Sequence, residues 1–174
     1  MKALLDLLPI GIGVALVAAL TWFLLDRDIG AGRWLLAALV FAHGWVHVMF
    51  VFPAPEATPA TAGGLAYPFD MGRSWLISNI GLDAGMVRAI GVVVMVVTFA
   101  AFLLAALSTM GWLVPTGWWE GLLLGAAASS TLLLALFFSP ALLLGFVINA
   151  AIWVLVLASI WSPVVSRVPG GGPA

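Results

Sequence analysis

Residues 33–52, RWLLAALVFAHGWVHVMFVF, decide the fold of this chain. After Arg33 the stretch carries no charge and runs long enough to cross a hydrocarbon layer, which takes about 20 residues of helix. It also holds both histidines of the chain, His43 and His47. Residues four apart share one face of a helix, so the two imidazoles point the same way. His43 falls near the middle of the span, and His47 lies ~6 Å further along the axis at ~1.5 Å per residue. Ionisable groups at that depth are costly, and each one asks for a partner or a role.

Outward from this stretch, the composition names the solvent. Hydrophobic residues make up 64% of the 174 and charged residues 7%, with a mean hydropathy of +1.23. A soluble domain carries about a quarter of its residues as Asp, Glu, Lys or Arg. This chain is therefore expected in a lipid bilayer, as a multi-pass protein of the plasma or inner membrane. The net charge of −1 and the lack of a basic tail argue against nucleic acid as a partner. With no cysteine, disulfides, thiolate metal sites and thiol nucleophiles are excluded.

The periodic apolar runs predict an all-α bundle of five transmembrane helices, at about 7–25, 34–52, 86–107, 118–138 and 141–161. The first run competes with a cleavable signal peptide. Its length, Asp6 in place of a basic lead, and the absence of a clear small-x-small site favour a retained helix. Pro53 and Pro55 end the second helix, and the connection 53–85 is the long one. Within it, Trp75, Leu76, Ile77 and Ile80 are set among Ser74, Ser78 and Asn79, the pattern of a short segment lying at the interface. Asp83 is placed to cap the third helix. Gly121, Gly125 and Ser129 repeat a four-residue small spacing that suits close helix packing, on this chain or on a partner.

Arg27, Arg33 and Arg167 share one side of a five-span chain and Lys2, Arg73 and Arg88 the other, a tie in number, while Trp22, Trp34, Trp112, Trp118, Trp119 and Trp161 fall with the first set. Basic residues in short loops mark the cytoplasmic side, which puts the N-terminus outside and the C-terminus in the cytoplasm.

Three readings apply to the histidines. They hydrogen-bond to neighbouring helices, with Asn149 or residues 129–131 as partners; they hold a metal ion or haem; or they relay a proton or substrate. The spacing of His43 and His47 matches that of the HExxH metalloproteases, but Gly44, Trp45 and Val46 lie between them and the catalytic Glu is missing. A metal sphere would need carboxylates from Glu56, Asp70 or Asp83, and Asp70 is the first candidate to orient His47. Two histidines on one face cannot reach both sides of a porphyrin, so haem would take one axial ligand from this chain. Asn149 reads as glue between helices, and Glu120 suits a helix start. No phosphate loop, nucleophile elbow or dinucleotide fingerprint occurs.

The elements AHGWVHVMF and GRSWLIS, the Arg88-Ala-Ile-Gly opening of the third helix, and Gly145-Phe-Val-Ile-Asn149 resemble a group of small uncharacterised bacterial membrane proteins. Those show an HGxxH motif within a four-helix unit, here spanning residues 33–161, with the first helix as an addition. The resemblance implies no particular activity. Many of that group carry an acidic residue before the last helix, where this chain has Pro140-Ala141. The expected role is a non-catalytic accessory subunit in a larger membrane complex or a self-associating one. The alternative is a redox-linked protein holding haem or a metal ion at His43 and His47, with no cofactor required by the first reading.

Overall fold

The structure, a computed structural model, describes residues 2–27, 29–52 and 67–158. Helix α1 spans Lys2–Asp26 and α2 spans Ala31–His47, continuing as a 3-10 turn over Val48–Val51. A short α3, Trp75–Ser78, precedes α4 at Ala84–Met110, α5 at Trp119–Leu136 and α6 at Leu143–Leu157. The described residues contain no strand, and five of their helices are long and apolar enough to cross a membrane. The protein is an all-α, multi-pass membrane bundle.

Local chemistry sets the helix ends. Phe52 is extended (φ −74°, ψ 138°), as expected of a residue whose α conformation is blocked by the ring of the proline after it. Asp83 accepts a hydrogen bond from Met86 N at 3.0 Å and so caps α4. At the other end of α4, Gly111 takes φ +68°, Trp112 N reaches Leu107 O at 3.0 Å, and Gly111 N reaches Ser108 O at 3.0 Å. This paired pattern closes the last turn where only glycine enters the left-handed region at little cost. The end of α5 is closed from outside the helix. Ser74 Oγ donates to Leu136 O at 2.7 Å, and Trp75 Nε1 donates to Ala135 O at 2.9 Å. The segment around Ser74 and Trp75 thus satisfies carbonyls that a helix terminus leaves without partners.

Helix α4 packs along both α2 and α5, α6 packs on α5, and α1 lies along α2. Two apolar layers form the core. One gathers Leu36, Val40, Phe102, Ala106, Leu123 and Val156, with Trp119 beside them. The other, toward the 67–83 connection, gathers Phe50, Met71, Val87, Met95, Leu133 and Phe137. Between these layers α2, α5 and α6 each contribute polar side chains that hydrogen-bond to one another: His43 and His47, Ser130 and Thr131, and Asn149. The candidate site is therefore a polar layer sandwiched in the membrane interior of the bundle.

Candidate functional site

Close approach of α2 and α4 positions the two rings. A Cβ on Gly44 would stand 2.5 Å from Phe102 Cβ, so glycine lets the phenylalanine ring in between the histidines. Phe102 meets His43 edge-on at 4.9 Å between centroids and lies nearly parallel to His47 at 5.9 Å. The two imidazoles are themselves 5.2 Å apart at an interplanar angle of 84°. His47 is buried, with 3% of its surface exposed, while His43 is half-buried.

The hydrogen bonds can be followed proton by proton. Thr131 Oγ1 donates to Ala127 O at 2.7 Å, so toward Asn149 it can only accept. That fixes the Asn149 amide: Nδ2 donates to Thr131 Oγ1 at 3.2 Å and to Ser130 Oγ at 2.8 Å, and Oδ1 faces His43. His43 Nε2 therefore carries its proton and donates to Oδ1 at 3.0 Å. On the other ring, Nδ1 donates to the backbone oxygen of His43 at 2.9 Å, one turn back in the same helix. His47 Nε2 then accepts from the Ser130 hydroxyl at 2.7 Å. Three of the four ring nitrogens are committed, and His43 Nδ1 keeps its lone pair.

This arrangement joins α2, α5 and α6 through Asn149 and Ser130, both almost wholly buried. Its wiring bears on the relay reading. A proton chain needs every member to accept at one atom and release from that same group. The Asn149 amide accepts at oxygen and donates from nitrogen without exchanging protons between them, so the path from His43 to His47 is interrupted there. Nor do the two rings offer a free pair of nitrogens to one ion. Among the described residues no three of His, Asp or Glu gather as a metal-binding group.

Asp70 stands apart from this layer. Its Oδ1 accepts from Gly72 N at 2.9 Å, and its Oδ2 is 3.4 Å from Arg73 Nε, so it caps a short turn and makes a local, exposed ion pair. It does not orient His47, whose nitrogens are satisfied inside the bundle, where a water-seeking carboxylate would pay for burial. Ser129 Oγ returns to Ala126 O of its own helix at 3.0 Å. Of the glycines in the small-residue stripe, Gly121 and Gly125 are exposed, and a Cβ on either would meet nothing within 4 Å. No helix among the described residues covers them. Sequence reasoning did not find Phe102 or the role of Gly44; a lone glycine between two histidines was the available signal.

No protein-family model, curated protein or solved structure matches this chain. What the polar layer and the bare stripe do is read from their own geometry.

Proposed function

We propose that this chain is a non-catalytic, multi-pass membrane subunit that packs through the glycine face of α5 against a helix of a neighbouring membrane protein. One observation carries the proposal. Gly44, Gly91 and Gly145 each hold a side chain where a Cβ would come within 3 Å of it, so this bundle uses their missing side chains. Gly121 and Gly125 cost helix stability, about 0.5–1 kcal/mol each relative to alanine, and no described residue uses theirs. Close backbone approach of a second helix is what such a face supplies in lipid. The polar layer serves this role as an internal clamp that holds α2, α5 and α6 in one arrangement.

The orientation we propose is N-terminus outside, C-terminus cytoplasmic. Its support is the grouping at one end of the bundle of Arg33, which donates to Thr109 O at 3.2 Å, and Trp34, in edge contact with Trp112 at 5.1 Å. Basic and aromatic residues collect in this way on cytoplasmic and interfacial surfaces.

A photo-crosslinking residue at Ala128, which is exposed on the flank of the same face, tests the packing in native membranes. The expected product is a protein adduct, while the same residue at Leu16, exposed on α1, yields lipid adducts. Lipid adducts alone from position 128 would remove the proposal. A second reading, haem iron or a metal ion, rests on the uncommitted lone pair of His43 Nδ1. The absorption spectrum and metal content of the purified chain separate the two.

A further inference from the structure

Beneath the described part of the long connection lies a cleft of about 300 Å³ that the subunit role does not use. Phe50 and Phe52 from the end of α2 form one wall and Phe69 adds to it; Asp70 and Arg88 supply the charge. The size sits at the lower end of what small-ligand sites occupy. Among the described residues Arg88 has neither a hydrogen-bond nor an ion-pair partner. Asp70 is already neutralised by Arg73 and capped onto Gly72 N, which leaves Arg88 as the one charge of the cleft with no counter-charge among the described residues.

Depth identifies the kind of molecule that meets this charge. Helix α4 has 27 residues and is about 40 Å long, against a hydrocarbon core of about 30 Å. Shared between the two ends, the surplus puts Arg88, the fifth residue of the helix, at the edge of the hydrocarbon, from which its long side chain reaches headgroup level. Phe50 is buried and Phe52 exposed at the same end, so the cleft is apolar on its membrane side and cationic at its rim. A free anion would leave the phenylalanine wall unused, and an apolar ligand would leave the guanidinium bare.

We infer that this cleft binds an anionic phospholipid, with the headgroup phosphate on Arg88 and the start of an acyl chain along Phe50, Phe52 and Phe69. Attraction of basic side chains at this depth to anionic lipid is the expected physics. The proposal stands independently of what covers the α5 glycine face.

Thermal unfolding of the purified full chain in a nonionic detergent tests it, with added phosphatidylglycerol, phosphatidylcholine of the same chains, or inorganic phosphate. Phosphatidylglycerol should raise the midpoint, and the other two should not. Arg88→Gln should abolish that rise, Arg88→Lys should keep part of it, and Arg27→Gln, at the opposite end of the bundle, should keep all of it. Equal shifts from phosphatidylcholine, which carries the same phosphate beside a cancelling cation, would mean that the cleft does not select an anionic headgroup, and a shift from phosphate alone would mean a soluble anion; either overturns the proposal. So does an undiminished rise in Arg88→Gln. Should that variant fail to fold, the headgroup comparison on the natural chain decides by itself.

Discussion

Asn149 ties three helices together with one amide, accepting from His43 on α2 and donating to Ser130 and Thr131 on α5. Single hydrogen bonds between membrane helices are worth about 0.6 kcal/mol on average and seldom reach 2, because the unfolded chain in lipid also finds partners. Asn149→Leu removes three at once and strands buried polar atoms, so a loss of about 1–3 kcal/mol is expected from unfolding in detergent. Ser129→Ala is the matched control, since that hydroxyl only returns to its own helix, and its effect should stay within about 0.5 kcal/mol. Gly44→Ala should cost about 1–3 kcal/mol through its clash with Phe102. Phe102→Ala should absorb part of that loss in a double-mutant cycle; strict additivity would mean that the two do not meet. The pairing of His43 with Asn149 was legible from the sequence, because a lone amide in an apolar helix must find a polar partner. Asp70 misled for a physical reason. Its placement near the helix end suggested a reach to His47, yet a histidine can satisfy Nδ1 on its own helix, which leaves the carboxylate free to stay in water.

Hydropathy made the five membrane helices readable, since about 20 apolar residues have few other uses. Their ends were less so. The last turn of the second helix tightens to 3-10 geometry over Val48–Val51 before the proline, and α4 runs to Met110, where a glycine rather than polarity stops it. Capping of α5 by another segment leaves no trace in α5 itself. Ser74→Ala frees Leu136 O, at a cost of about 1 kcal/mol, and loosens the connection where it meets the bundle. Trypsin cleavage after Arg73, whose side chain is exposed, should then quicken relative to the natural chain. An unchanged rate would mean that this hydrogen bond does not hold the segment. The four-residue spacing of Gly121 and Gly125 reads alike whether it faces inward or outward, so the sequence signalled packing but not its direction.

At the scale of the whole molecule, the side chain to side chain hydrogen bonds that join membrane helices among the described residues gather in one internal layer, and the outer faces are mostly hydrocarbon. Helix α1 illustrates this, with most of its membrane span exposed and an apolar groove between it and α6. The proposed orientation rests on the side on which Arg27, Arg33 and the tryptophans collect. Reporter fusions after Gly30 and after Gly170 should both report cytoplasm, and opposite compartments would contradict the five-span path. The central claim is that α5 meets a partner through Gly121 and Gly125, and the most direct measurement is the protein mass of the particle extracted from its native membrane in mild detergent. A mass well above the 18.2 kDa of one chain is expected, falling to that of the single chain in Gly125→Leu while the α-helical signal is retained. A natural chain already at 18.2 kDa, or a Gly125→Leu particle of unchanged mass, would contradict it.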